Sequence, residues 1–267
     1  MNSSPSWIQD RMTTKGSFTL SPGEIHFFHT NGYLGPLTLT SPEEMELIRS
    51  RIETEILTTD GPNPKDRKQC RMLDHSFLRD LLTRSEILDG MESLYGPDLV
   101  LWASYFFTKN PGDAEIPWHQ DLNYWPLEPV INISAWIAID EATEENACVR
   151  VIPGSHKKVA PHVRSRDGMQ FSEMADPAYV DESRVISMEL KPGQFFIFNE
   201  KLLHQSNANR SHKRRMGLTA RVTVPFVKIC HDTPPLFSGH EAILVRGEDR
   251  FGFNRLMGSG RRFCYTS

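Results

Sequence analysis

The chain has 267 residues, of which 39% are hydrophobic and 24% are charged. This balance is typical of a folded protein with a sizeable core and excludes wholesale disorder. The net charge of −4 provides no basic field for nucleic acid or anionic membranes. No apolar run reaches the roughly 18 residues of a membrane span. The four cysteines form no CxxC pair, which favours free thiols in a reducing, cytoplasmic setting.

The first predicted elements are helices. After an arm at residues 1–20, Ser21 and Glu24 have the spacing of a capping box, and a helix is expected to run to Asn31-Gly32. Ser41 starts a second helix by the same logic, and residues 76–96 are expected to contain one or two more.

Beyond Gly96, short apolar segments alternate with turn residues, which is typical of strands. They lie at 99–107, 131–139, 149–152, 186–190, 195–198 and 216–227. The order of helices followed by strands predicts a mainly β domain with flanking helices, a sandwich or a barrel, over residues 21–230. A polar insert at 160–184 is expected to lie over the site as a lid or loop, and an extension at 231–267 to pack on the same domain.

The sharpest local signal is the triplet His119-Gln120-Asp121. Residues i and i+2 of an extended strand point to the same face, so His119 and Asp121 are expected to project together. An imidazole and a carboxylate are two of the three ligands of the 2-His-1-carboxylate facial triad that binds Fe(II). On its own, such a triplet is more often part of a surface loop.

One more histidine and two arginines strengthen this interpretation. The turn Lys191-Pro192-Gly193 leads into an apolar strand that delivers His204, which is placed to complete the triad across a barrel mouth; the alternative is a core or rim histidine. Arg215 and Arg221 share one face of a predicted strand, and inward guanidiniums need an anion. A dicarboxylate cosubstrate would supply that anion. The alternative is a pair of strand-end arginines that reach solvent.

Further motifs accompany these residues. They are Asn31-Gly32-Tyr33, Asn110-Pro111-Gly112, Ala135-Trp136-Ile137-Ala138-Ile139-Asp140, Pro153-Gly154-Ser155-His156 and Lys191-Pro192-Gly193-Gln194. From about Leu20 to Val227 the chain resembles the phytanoyl-CoA dioxygenase family of Fe(II)- and 2-oxoglutarate-dependent oxygenases. One departure is Asn146-Ala147-Cys148, where the family usually has Asn-Gly, and this puts a local turn in doubt.

The resemblance implies a double-stranded β-helix, or jelly-roll, core of the cupin type. It also implies Fe(II) on His119, Asp121 and His204, with 2-oxoglutarate and O2 as cosubstrates and succinate and CO2 as products. The resemblance thus predicts that these three residues bind one metal ion together.

The resemblance also implies roles around the metal. Arg215 matches the arginine that binds the distal carboxylate of 2-oxoglutarate, and Ser206 and Gln120 match positions that line the cosubstrate or substrate pocket. Arg221 is grouped with these cosubstrate residues because it shares the face of Arg215. Asn123, Tyr124 and Trp125 directly follow the triplet and are expected to contact substrate from a loop, although loop packing explains them equally well.

The stretches from His119 to Pro126 and from Arg215 to Arg221 also resemble a subgroup labelled chlorinating enzymes. In related halogenases the triad carboxylate is replaced by Ala or Gly, which opens a position for chloride. Asp121 fills that position here, so hydroxylation is favoured. The expected substrate is a small polar metabolite: an amino acid, an aminophosphonate-like compound or a natural-product intermediate.

Two other hypotheses remain open at this stage. The spacing of Arg215 and Arg221 is similar to that of nucleic-acid demethylases, but the net charge argues against a nucleic-acid partner. A non-catalytic jelly-roll module is disfavoured because every ligand is retained. The expected partner is therefore a small molecule, with no nucleic acid or membrane, and the protein is expected to be a monomer or homodimer.

Overall fold

A computed structural model describes residues 18–258. The predicted arm at 1–20 lies outside the described residues up to position 17, and so do residues 259–267 of the predicted extension. Among the described residues, no helix combines the length and the apolar character needed to cross a membrane.

Four α-helices lie within residues 18–258, and the first two begin at the serine caps that the sequence predicts. In α1 (Pro22–Asn31), Ser21 and Glu24 complete a capping box, and Gly32 ends the helix with a positive φ of 83°. Helix α2 (Pro42–Arg51) has Ser41 as its N-cap and continues as one π-helical turn, Ile52–Ile56. The remaining predicted helical stretch divides into α3 (Ser76–Leu82) and α4 (Ser85–Tyr95).

Fourteen strands occur in residues 18–258. They are β1 (Tyr33–Thr38), β2 (Leu99–Lys109), β3 (Ile116–His119), β4 (Leu127–Glu128), β5 (Ile133–Ala138), β6 (Val149–Val151), β7 (His162–Arg164), β8 (Glu173–Ala175), β9 (Ile186–Met188), β10 (Gln194–Asn199), β11 (His204–Ser206), β12 (Arg215–Thr223), β13 (Lys228–Ile229) and β14 (Ile243–Arg246).

Two antiparallel sheets form the body of the protein. The larger has the order β1-β10-β5-β12-β2-β14, and the smaller has the order β3-β11-β6-β9. Trp136 and Phe196 of the larger sheet share a buried apolar cluster with Val151 and Met188 of the smaller one. The two sheets therefore pack face to face, and the predicted jelly-roll class is confirmed.

The helices cover the other face of the larger sheet. On β5 and β10, Ile137 and Ile197 belong to the same apolar cluster as Ile48, Leu81 and Leu88 of the helices. The neighbouring residues along these two strands face the smaller sheet instead, as the period of two requires. The alternation therefore gives the larger sheet one face against helices and one face against the site.

One strand departs from the expected order of helices followed by strands, and another lies in the predicted extension. Strand β1 lies between α1 and α2 and forms the edge of the larger sheet, with Tyr33 opposite Phe198 of β10. Strand β14 pairs with β2, so part of the predicted extension belongs to that same sheet. Both pairings join distant parts of the chain, which local patterning does not reveal.

A buried histidine pair anchors the segment around β14. The Nδ1 atoms of His231 and His240 lie 2.9 Å apart, and Nε2 of His240 donates to the backbone carbonyl of Trp102 on β2. The backbone N–H of Arg255 donates to Nε2 of His231. The sequence showed no partner pattern for these histidines, although each is hydrogen-bonded through both ring nitrogens.

Candidate active site

The predicted triad converges between strands of the smaller sheet. His119 ends β3, Asp121 opens a single 3₁₀ turn directly after it, and His204 begins β11. His204 is paired opposite His119 in the antiparallel ladder. The strand is therefore shorter than the sequence analysis assumed, yet the turn still directs Asp121 toward the two imidazoles.

The ligand atoms of the three residues lie within 4.8 Å of one another. Nε2 of His119 is 3.7 Å from one oxygen of Asp121, and Nε2 of His204 is 3.9 Å from the other. Within residues 18–258 no second group of three His, Cys, Asp or Glu side chains has this spacing. Two nitrogens and one carboxylate form the donor set of the facial triad, which suits Fe(II) and leaves positions open.

Backbone carbonyls fix both imidazoles for metal binding. Nδ1 of His119 donates to the carbonyl of Pro117 at 2.8 Å, and Nδ1 of His204 donates to that of Leu202 at 2.9 Å. Each Nε2 is then the unprotonated nitrogen that can bind a metal. Burial, followed by the charge of His204, lowers the pKa of His119 well below its usual value, which keeps that ring neutral.

A second cluster of donors lies at one end of the same cavity. Arg215 is 1% exposed, and its Nε donates to the carbonyl of Ala147 at 3.1 Å. Its Nη2 and the hydroxyl of Ser206 are buried without a hydrogen-bond partner. No carboxylate among residues 18–258 makes an ion pair with Arg215, and burial lowers its pKa to about 10. Unused donors beside a buried cation fit a carboxylate ligand, as 2-oxoglutarate requires.

Lys109 adds a second cation to this cluster, and sequence reasoning missed it. Lys109 is opposite Arg215 in the β2–β12 ladder, and its Nζ donates to the backbone carbonyl of Ser206 at 3.0 Å. Burial, then the charge of Arg215, lowers its pKa to about 7. The available signal was a lysine at the end of an otherwise apolar and aromatic strand.

The cavity has a volume of about 620 Å³, within the usual range for small-molecule sites. The triad, Arg215, Ser206 and Arg221 all line it, as predicted. Tyr124 and Trp125 line it too, and their rings lie near His119 and Arg221, respectively. The insert at 160–184 contributes Gln170, Phe171 and Ser172, and the Phe171 ring is 4.9 Å from that of His119.

Two predicted site residues lie elsewhere, which corrects the sequence analysis. Gln120 is fully buried, its amide donates to the carbonyls of Lys158 and Lys201, and its oxygen accepts from the N–H of Ala160. Strand alternation explains this orientation, because Gln120 points away from the face of its neighbour His119. Asn123 is exposed, and its amide donates to Glu173.

The face-to-face sheets, the buried triad and the adjoining carboxylate site define the class of 2-His-1-carboxylate oxygenases. The sequence profile of the phytanoyl-CoA dioxygenase (PhyH) family matches residues 28–217. The chain belongs to that family. It is an Fe(II)- and 2-oxoglutarate-dependent dioxygenase, as the sequence analysis predicted.

Individual relatives agree with this assignment. The dioxygenase lolE1 of Epichloe uncinata is 29% identical over 214 residues, which cover 74% of this chain and 81% of the relative. Phytanoyl-CoA dioxygenase 1 of Oryza sativa subsp. japonica is 32% identical over 252 residues, which cover 76% and 89%. The solved structure of CytC3 is 29% identical, covers 91% of this chain and 94% of its own, and gives a TM-score of 0.69. A second CytC3 structure contains Fe(II) and α-ketoglutarate.

Proposed function

We propose that this protein hydroxylates an unactivated C–H bond of a small polar metabolite. The overall reaction consumes the C–H compound, 2-oxoglutarate and O2, and yields the alcohol, succinate and CO2. The observation that carries the proposal is the intact His119, Asp121 and His204 triad, which shares one cavity with the unused donors of Arg215 and Ser206. The net charge of −4 favours a small molecule over a nucleic acid.

Each residue near the metal has a defined task in this proposal. His119, Asp121 and His204 hold Fe(II), which when bound with 2-oxoglutarate supplies the oxidising chemistry with O2. Arg215 and Ser206 orient the cosubstrate by its distal carboxylate, because both line the cavity and have buried donors without a partner. Lys109 lies beside them and adds positive charge.

The rings around the triad keep water away from the reacting atoms. Tyr124 and Phe171 contact His119 edge-on, at ring distances of 5.9 and 4.9 Å, and both line the cavity. Trp125 is 7% exposed and continues the aromatic wall. Exclusion of water by these side chains strengthens electrostatic contacts with the substrate and protects a C–H oxidation from side reactions.

Halogenation is the alternative within the same class of enzymes. It requires an open position where Asp121 lies, and Asp121 is directed at both histidines at 3.7 and 3.9 Å. This geometry favours oxygen transfer.

The test is a substrate screen that measures succinate and the mass gain of one oxygen atom in the product. We expect succinate to depend on Fe(II), 2-oxoglutarate and substrate together. Asp121→Ala should lower turnover by at least about 100-fold and weaken Fe(II) binding, since even residues that only support a ligand cost about 10–100-fold. Asp167→Ala, an exposed site on the insert, is the matched control. A chlorinated product, or full activity of Asp121→Ala, would refute the proposal.

A further inference from the structure

Arg221 lies apart from the arginine at the cosubstrate end. Both residues are on β12 and line the cavity, but Arg221 is six residues beyond Arg215, about 20 Å along an extended strand. Their neighbours also differ. The Arg215 guanidinium carbon is 5.3 Å from the ring of Trp136, whereas that of Arg221 is 5.0 Å from Trp125 and 5.8 Å from Phe107.

The Arg221 side chain has unused hydrogen-bonding capacity. Its Nε is buried without a hydrogen-bond partner, and no carboxylate in residues 18–258 lies within 4.0 Å of its guanidinium nitrogens. A buried arginine with a structural role looks different in this molecule. Arg71 is fully buried, forms an ion pair with Asp74 and donates to the carbonyls of Ile56 and Thr59. Arg221 is only partly buried and has no such set, so its guanidinium is available to a ligand in the cavity that it lines.

The distal carboxylate of 2-oxoglutarate is held at Arg215 and not at this second arginine. Its five-carbon chain spans only about 5 Å, from four C–C bonds of about 1.5 Å. In the proposed function one carboxylate binds at Arg215 and the other faces the metal. Arg221 is therefore not needed for that carboxylate, and it lines the cavity that the substrate must enter.

Arg221 is connected to the metal ligands by a row of aromatic side chains. Trp125, which packs on Arg221, directly follows Tyr124, whose ring is 5.9 Å from that of His119. Arg221 and the triad therefore lie along one aromatic wall of the same cavity.

We infer that Arg221 binds a carboxylate of the substrate, so that the substrate is a carboxylic acid small enough for the cavity of about 620 Å³. This inference rests on the proposed function and names its substrate class. The planar guanidinium can donate two parallel hydrogen bonds to the carboxylate, and the aromatic neighbours fix its orientation. A neutral substrate would leave the buried Nε of this partly buried arginine without a partner.

The experiment measures binding separately from turnover. The full-length protein is loaded with Fe(II) and saturating 2-oxoglutarate without O2, and calorimetry measures its affinity for L-amino acids and short-chain carboxylic acids. Each acid is paired with its primary amide. Wild-type protein should bind one or more acids at least about 10-fold more tightly than the matching amide.

Variants assign the difference to Arg221. Arg221→Gln should weaken acid binding by about 10–100-fold and leave the affinity for 2-oxoglutarate within about twofold, and Arg221→Lys should restore part of the loss. Arg150→Gln is the matched control, because Arg150 also faces a tryptophan ring, at 5.8 Å from Trp118, but does not line the cavity. Thermal unfolding checks that each variant is folded.

Three results would overturn the inference: amides that bind as well as acids, no acid that binds the wild type, or an Arg221→Gln variant whose main loss is in 2-oxoglutarate affinity. The proposed function has its own readout. An acid that binds through Arg221 but never gives succinate under O2 would count against the hydroxylase while still supporting the carboxylate site.

Discussion

Replacement of Gly217 by Ala tests how closely the cosubstrate end is packed. Gly217 lies on β12, where the indole of Trp136 rests directly on its backbone. A Cβ atom here would overlap the indole, and even Cη2, the third-nearest atom, would be only 2.7 Å away. Trp136 would have to move by more than about 1 Å to reach a normal contact distance.

The cost follows from this overlap. Overpacking of a filled site destabilises a protein by about 1–3 kcal/mol. The loss of backbone freedom in the unfolded chain offsets about 0.5–1 kcal/mol of this. We therefore expect Gly217→Ala to lower the free energy of unfolding by about 1–2 kcal/mol, or about 2–8 °C in Tm. Affinity for 2-oxoglutarate should also fall, because Trp136 is in contact with Arg215 at 5.3 Å.

Gly90→Ala is the matched control with the opposite sign. Gly90 lies within α4, and an added Cβ would be 3.7 Å from Leu20, an ordinary contact. The gain in helix propensity should raise the free energy of unfolding by about 0.5–1 kcal/mol. Thermal unfolding and calorimetry with 2-oxoglutarate measure both variants. If Gly217→Ala matches the wild type in Tm and in affinity, the packing argument is wrong.

Three further predictions concern other regions. Ala147 has a φ of 68°, so Ala147→Gly should stabilise the fold by about 0.5–1 kcal/mol in urea unfolding, whereas Ala178→Gly, without a positive φ, should destabilise it. Burial lowers the pKa of His231 and His240, so the folded protein favours the neutral rings. Their contribution to the free energy of unfolding is therefore fully present above about pH 6.5. Below that pH, the free energy of unfolding should fall by up to about 1.4 kcal/mol per pH unit for each ring. A His231→Phe variant whose free energy of unfolding depends on pH as steeply as that of the wild type would contradict this. Lys109→Met should weaken 2-oxoglutarate binding about 10-fold by calorimetry, and unchanged affinity would exclude a role for its charge.

The sequence was sufficient for the metal ligands because each lies next to a strong local pattern. His119 and Asp121 are two positions apart, and His204 follows an apolar strand that a Pro-Gly turn introduces. Helix caps such as Ser21 were equally readable, since the cap and its partner are three residues apart. Patterns that span only a few residues can be recognised without knowing which strands pair.

Features that depend on strand pairing were not readable. Lys109 acquires its position only because β2 pairs with β12, which places it opposite Arg215 across more than 100 residues of sequence. Strand β1 was missed for the same reason, because its partner β10 lies far along the chain. Gln120 was misplaced for a different reason: its motif position was carried over without the strand alternation that turns it away from the cavity.

The cavity-facing positions of β12 explain how one strand can carry two arginines that bind two different anions. Arg215, Gly217, Thr219 and Arg221 alternate along one face, so two small residues separate the two cations. Gly217 leaves room for the indole of Trp136, and Thr219 hydrogen-bonds the backbone of Tyr105 instead of filling the cavity. A larger side chain at either position would occupy the space between the arginines. The pattern of an arginine, two alternating small residues and a second arginine is therefore the sequence signature of this cavity wall, with one carboxylate site at each end.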